Sequence, residues 1–156
     1  MIITNLRLYN FRNYEQLNID FSNNLNIIYG NNGTGKSNLI EAIYLLSLSK
    51  SFRTMDDKNL IRKNSDVCLV KGVVDNKTYF IELNKNSKKL FIDNKKITKE
   101  KMKSKNTIYP IVMPIVLYTG KERWKVPRTF EERQYSYNSE NRNLQFKYNL
   151  IDGNQM

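Results

Sequence analysis

The chain has 156 residues, enough for one ordinary hydrophobic core or two undersized ones. Its 26 basic and 15 acidic side chains give a formal charge of +11, spread along the whole length, which favours anionic partners such as nucleotides or nucleic acid. There is no histidine and only one cysteine, which excludes histidine acid–base or metal chemistry and any disulfide within the chain.

Residues Met1–Asn10 alternate around Ile3, Leu6 and Leu8 and predict a strand with one buried face. Phe11-Arg12-Asn13-Tyr14 breaks that pattern with a base between aromatics. Two readings stand side by side: a packed turn with a surface arginine, or an arginine placed as an anion contact. Gln16–Phe21 predicts a second short strand, Ser22-Asn23-Asn24 a turn, and Leu25–Tyr29 an apolar, β-branched strand.

The next residues, from Ile27 to Ser37, read IIYGNNGTGKS. Gly30, Gly35, Lys36 and Ser37 meet the phosphate-loop spacing, and Gly33 adds a third flexible point among Asn31, Asn32 and Thr34. Glycines let backbone N–H groups turn inward around a phosphate without Cβ clashes. A helix opening near Lys36 presents unpaired N–H groups and a positive dipole end to the same anion. Lys36 has the reach for β- and γ-phosphates, and the Ser37 hydroxyl suits Mg²⁺. A glycine-rich turn that merely imitates this loop is the rival, but the order strand, loop, helix disfavours it. In NLIEAIYLLSLS, residues Leu39, Ile40, Ile43 and Leu46, with Tyr44 at the margin, predict a broad apolar helix face ending near Leu48.

The stretch KSFRTMDDKNLIRKNSD is polar, with Lys50, Arg53, Lys58, Arg62 and Lys63. It reads as a solvated connection or as a segment facing nucleotide and DNA. Three strands follow, Val67–Val74, Thr78–Leu83 and Lys89–Asp93, with turns at Asn76-Lys77 and Asn84–Ser87. They predict an antiparallel meander in which Tyr79, Ile81 and Leu83 share one face. Cys68 lies inside the first of these strands, where burial accounts for it. Asn94-Lys95 and a short Ile97–Met102 segment close this half.

Composition changes near residue 104. IYPIVMPIVLYTG is almost wholly apolar, but Pro110 and Pro114 bar a central strand over its full length, leaving Ile115–Tyr118. Trp124, Phe130, Tyr135 and Tyr137 follow amid polar residues, and LQFKYNLID alternates like a strand. The longest apolar stretch, Ile108–Tyr118, is too short to span a bilayer, and the N-terminus lacks a basic segment followed by an apolar run. A cytoplasmic location with no membrane partner is expected.

Over residues 1–100 the chain resembles the amino-terminal part of the RecF-type DNA replication and repair proteins, relatives of the SMC-type, ABC-like ATPases. The FRNY box at Phe11–Tyr14, the loop at Gly30–Ser37, the NLIEAIYLLS helix and the SFRT segment at Ser51–Thr54 carry the resemblance. It implies a P-loop NTPase of the α/β class: an ABC-ATPase-like N-terminal lobe, truncated, with mixed β-sheet and antiparallel meander over residues 1–103. It also implies an ATP- and Mg²⁺-binding protein that forms homodimers and meets single- and double-stranded DNA at gaps and junctions. Recombination-mediator partners and the SOS response belong to the same expectation. Under this resemblance Lys36 and Ser37 hold phosphate and Mg²⁺, Arg12 touches the nucleotide phosphates, and Arg53 lines the nucleotide or DNA side.

The resemblance also shows what this sequence lacks. Full members are about twice this length or more and carry an LSxGQ-like signature and an apolar strand ending in Asp-Glu. Here Glu131-Glu132 follows a polar segment and Asp56-Asp57 a loop. Hydrolysis is therefore expected to be slow or absent, and no residue receives a catalytic role. Residues 104–156 form an α+β tail that resembles a middle segment of the recombination-promoting nuclease family, YhgA-like putative transposases of the PD-(D/E)XK class, through PIVLYTG and the Trp124 and Val126-Pro127 that follow. The carboxylates of such a nuclease would lie upstream and are not supplied. The expected account is a composite of two truncated coding regions joined near residues 100–108. The rivals to the ATP-binding reading are a non-catalytic DNA- or partner-binding fragment, a remnant with no stable function and, third, a metal-dependent nuclease.

Overall fold

The computed structural model describes residues 2–23, 25–98, 115–118 and 148–153. These fall into two compact units, one within Met1–Phe21 and Ser37–Met113, the other within Ser22–Lys36 and Pro114–Met156. The phosphate-loop strand thus packs with strands of the tail.

In the first unit, strands β1 (Ile3–Phe11) and β2 (Tyr14–Asp20) pair as a hairpin around the FRNY turn. Numbering in chain order, β3 belongs to the second unit. Helix α1 (Lys36–Leu48) and a single 3₁₀ turn (Asp57–Leu60) come next. Strands β4 (Val67–Val74), β5 (Lys77–Asn84), β6 (Lys88–Ile92) and β7 (Lys95–Lys96) complete a six-stranded antiparallel sheet of order β2-β1-β4-β5-β6-β7. The register of β1 against β4 shifts between Ile3 and Asn5. That bulge explains how Ile3, three residues before Leu6, joins Leu6 and Leu8 in the core. Cys68, Val70, Val74, Ile81 and Leu83 are buried with them, as the meander pattern predicts, while Tyr79 is only half-buried.

Two expectations shift by a residue. The turn expected at Asn76-Lys77 is Asp75-Asn76, both left-handed (φ 46° and 62°), and Lys77 already belongs to β5. Asp93, expected in a strand, forms the next two-residue turn with Asn94 (φ 47° and 64°). Left-handed pairs of this kind match the twist of flanking strands, and Asp and Asn tolerate them.

Helix α1 is buried more completely than its sequence face suggests. Leu39, Ile43 and Leu46 are in the core as expected, but so are Ala42, Leu45, Ser47 and Glu41. Ile40 is only half-buried and Tyr44 is exposed. The helix lies close on β4 at Gly72, where an added Cβ would stand 2.6 Å from the Leu46 methyl. The polar stretch after α1 is anchored rather than simply solvated. Asp56 caps the 3₁₀ turn by accepting from the Lys58 amide (3.0 Å), Leu60 is fully buried, and Phe11 bridges to Ile61.

The second unit is a three-stranded parallel sheet of order β8-β3-β9, with β3 (Leu25–Tyr29) between β8 (Ile115–Tyr118) and β9 (Tyr148–Asp152). Ile28 registers with Leu117 on one side and Ile151 on the other. Ile27 and Ile28 are buried, as a parallel strand flanked on both sides requires. The side-chain amide of buried Asn26 accepts from the Ser22 amide (2.9 Å) and donates to its carbonyl (3.0 Å), fixing the entry to β3. Of the alternating LQFKYNLID run, the strand takes Tyr148–Asp152. The Thr119-Gly120 turn, the Ile97–Met102 segment past residue 98, and Trp124, Phe130, Tyr135 and Tyr137 lie outside the described residues. No helix among the described residues is long and apolar enough to cross a membrane.

Candidate nucleotide-phosphate site

In the second unit, β3 delivers the chain into the loop at Gly30. Gly30, Gly33 and Gly35 all have positive φ (141°, 88° and 109°), conformations that side-chain-bearing residues rarely take. The sequence expectation that these three positions need glycine is thus met by the backbone itself. Nothing lies within 4 Å of a Cβ built on Gly33, so that position faces open space. Asn31, Asn32 and Gly33 are exposed, whereas Lys36 is only 6% exposed.

Lys36 turns back over the loop. Its Nζ donates to the Gly30 carbonyl (2.8 Å) and the Asn31 carbonyl (2.6 Å), while the Thr34 hydroxyl donates to the same Asn31 carbonyl (3.0 Å). The ammonium thus rests on two neutral carbonyl acceptors. A polyphosphate offers the same donor-accepting geometry with added charge, so exchange of the carbonyls for phosphate oxygens is favourable. Ser37, the second residue of α1, is exposed. Three glycine-permitted bends, a lysine on exchangeable partners and a helix start fit a nucleotide phosphate. Among the described residues no three acidic, cysteine or histidine side chains gather to hold a metal ion.

A second polar centre lies wholly within the first unit and is built on Glu41. Its side chain is completely buried in α1. Arg12 grips it with both ends of the fork, Nε to Oε2 at 2.9 Å and Nη2 to Oε1 at 2.7 Å. The Ser51 hydroxyl donates to Oε1 (2.5 Å), and Arg53 Nη1 stands 3.5 Å from Oε2. Burial pushes this carboxyl up, but the hydrogen bonds from Arg12 and Ser51 and the charges of Arg12 and Arg53 outweigh it, so its pKa lies below the ordinary 4.5. Arg12 itself is left-handed (φ 54°), its amide donates to the Leu60 carbonyl (2.8 Å), and its Nη1 to Asn59 (2.6 Å). Arg53 also donates to Asn38 (2.6 Å), whose amide reaches Asn13 (2.7 Å).

The structure thus brings Arg12 and Arg53 together, which the sequence did not reveal, and joins them through Glu41, which was not singled out, with Ser51 on the same carboxylate. The available signal for Glu41 was a lone carboxylate amid apolar helix residues, a position that requires a cationic partner. Arg12, open between two readings, is one-fifth exposed and ion-paired to Glu41. Arg53 remains 45% exposed and borders an open groove of about 600 Å³ with Lys50, Phe52, Met55 and Lys88.

A family model described as the RecF/RecN/SMC N terminal domain matches residues 2–113, and one described as a putative transposase, YhgA-like, matches residues 87–156. The two stretches overlap around the boundary expected at residue 103. The DNA replication and repair protein RecF of Geobacillus sp. is 51% identical over 72 residues, covering 46% of this chain and 19% of that protein. Its counterpart from Clostridioides difficile is 37% identical over 140 residues, covering 87% of this chain and 38% of the relative. The solved structure of the recombination mediator protein RecF with ATP, in the RecFOR pathway, superposes with a TM-score of 0.61 at 31% identity, over 63% of this chain and 28% of that one. The SMC head domain from Thermotoga maritima superposes at 0.54 with 22% identity, over 66% and 41%, and shows the shared fold. The chain spans well under half the length of these curated relatives.

Proposed function

Because the chain belongs to the RecF/RecN/SMC N terminal domain family, we propose that it binds ATP with Mg²⁺ through residues 30–37 and serves DNA replication and recombinational repair. The observation that carries this reading is the loop itself, with three glycines at positive φ and Lys36 resting on the Gly30 and Asn31 carbonyls. Lys36 is the residue that exchanges partners: its ammonium leaves two neutral oxygens for the charged β- and γ-phosphates. The amides of Asn31, Asn32, Gly33, Thr34 and Gly35 supply neutral donors along the polyphosphate, and Ser37 offers its hydroxyl to the metal. Magnesium, when bound, neutralises phosphate charge. Arg12 is proposed as a further phosphate contact, oriented by Glu41.

DNA binding at gaps or junctions, coupled to ATP, is proposed for the exposed basic surface that includes Lys50 and Arg53. Phe52, half-exposed and edge-on to Tyr44 at 5.2 Å, supplies an aromatic face beside those charges. Homodimerisation, recombination-mediator partners, a part in the SOS response and a cytoplasmic location follow from the same family reading. No residue is proposed to activate water, so hydrolysis is expected to be slow or absent.

Calorimetry of ATP with Mg²⁺ against the chain and its Lys36→Ala variant tests the reading. Micromolar binding by the parent, lost in the variant, is the expected result. Absence of heat with a parent sample that melts cooperatively would withdraw ATP binding. DNA affinity that falls with salt but ignores both ATP and Lys36→Ala would favour the non-catalytic DNA-binding module instead.

A further inference from the structure

Strand β9 belongs to the tail, yet it ends against the phosphate loop. It runs parallel to β3 in the same unit, with Ile28 in register with Ile151 and Tyr29 with Asp152. The ladder continues one residue further, where the Gly153 amide donates to the Tyr29 carbonyl (2.5 Å). The chain leaves β3 at that carbonyl to enter the loop, so Gly153, itself buried, stands at the loop entrance.

A Cβ at Gly153 would stand 2.8 Å from the Tyr29 carbonyl oxygen, 3.0 Å from Thr34 Oγ1 and 3.2 Å from Lys36 Cγ. The glycines with positive φ are Gly30, Gly33 and Gly35, so the demand at Gly153 is for space rather than for a left-handed backbone. Gly72 differs in kind. Its added Cβ would meet the Leu46 methyl at 2.6 Å, the end of a side chain that can turn aside. At Gly153 the nearest atom is a backbone oxygen of a paired strand, which has no rotamer to change.

Lys36 is the side chain this packing controls. Its stem passes beside Gly153 while its ammonium reaches the Gly30 and Asn31 carbonyls (2.8 and 2.6 Å). Thr34, whose hydroxyl donates to the same Asn31 carbonyl (3.0 Å), is confined from the same side. A lysine free in solvent loses rotamer freedom when it grips a phosphate, whereas one already confined loses little.

We propose that Gly153 is a positioning residue of the phosphate loop. It admits the backbone of the tail beside Thr34 and Lys36, and that contact holds the lysine where it meets the phosphates of a nucleotide. The inference rests on the ATP-binding reading above and extends it, because the affinity of the loop then depends on a residue of the tail.

Calorimetry with ATP and with inorganic tripolyphosphate, each with Mg²⁺, tests this on the parent, Gly153→Ala and Gly72→Ala, alongside urea unfolding of each. Gly153→Ala should bind both ligands about tenfold more weakly, the loss of one charge-assisted hydrogen bond. The Lys36 ammonium resonance of the ligand-free variant should also move, which a merely less stable fold would not cause. Gly72→Ala, in the other unit, should lower stability and keep the parent's affinity. A folded Gly153→Ala with the parent's affinity overturns the proposal while ATP binding stands. So does weaker binding with an unmoved Lys36 resonance, or an equal loss of affinity in Gly72→Ala. A parent that binds neither ligand overturns both readings. Should Gly153→Ala fail to fold, the unaltered chain decides. Its Gly153 amide resonance must shift on adding tripolyphosphate, with the same midpoint as those of Gly33 and Gly35, and a resonance that stays in place rejects the assignment.

Discussion

Arg12 and Lys36 are both largely buried cations, and they are held in opposite ways. Arg12 is locked on a fully buried carboxylate by a two-pronged, charge-assisted pair, with Ser51 and Arg53 closing around the same oxygens. Lys36 is held by two backbone carbonyls of its own loop. The first arrangement cannot exchange partners without leaving a buried charge unpaired, whereas the second gives up only neutral acceptors. The difference separates a cation anchored on a buried carboxylate from one whose partners a ligand's oxygens can replace. Glu41 and Lys36 therefore make opposite predictions for stability and binding.

The largest expected effect is from Glu41→Ala, which leaves Arg12 in its turn with no counter-charge. A loss of about 3–5 kcal/mol is expected, measured as the shift in a urea unfolding curve. A loss near zero would place Glu41 with the surface ion pairs and erase the contrast. Next comes Lys36→Ala. Removing its charge-assisted bonds to phosphate should cost about 1.5–3 kcal/mol of ATP binding, roughly a ten- to hundredfold rise in Kd. The same variant should unfold within about 1 kcal/mol of the parent. Equal losses of stability and binding would make Lys36 a structural residue.

Acid sharpens the comparison. The folded pKa of Glu41 lies below its ordinary value, so its stabilisation is complete above the ordinary carboxylate range. It is then lost as pH falls through that range toward the folded value. Urea midpoints should therefore drop below about pH 5, and Glu41→Gln should flatten that part of the profile. The smallest effect belongs to Arg53→Ala. This guanidinium is nearly half-exposed and its approach to Glu41 is long, so a change below about 1 kcal/mol is expected. Weakened binding of a DNA oligonucleotide by that variant, with little loss of stability, would place its role on the groove side.

Much of the local architecture was legible from residue order alone. The Leu25–Tyr29 strand, the loop glycines, the helix through Leu48, the Val67–Val74 strand and the short Ile115–Tyr118 strand appear where periodicity and turn residues put them. Hairpin turns were displaced by one residue because Asp75 and Asp93 accept left-handed backbone as readily as asparagine does. The wider burial of α1 escaped the pattern, since Ala42 and Ser47 carry little hydrophobic signal and Glu41 carries the opposite one.

What the sequence determined by itself is chemistry that depends on neighbours along the chain. The three flexible points, the lysine and the serine of the phosphate loop sit within eight residues, so their spacing specifies the turn and the donors it presents. Tertiary structure decided which distant groups meet those donors and which charges are already spent. The pairing of Arg12 with Glu41 spans 29 residues, and the alignment of Asp152 beside Tyr29 depends on the register of two parallel strands far apart in the chain. Neither contact has a local signature, because strand register and helix–turn packing are settled by burial and hydrogen bonding across the sheet rather than by adjacent residues.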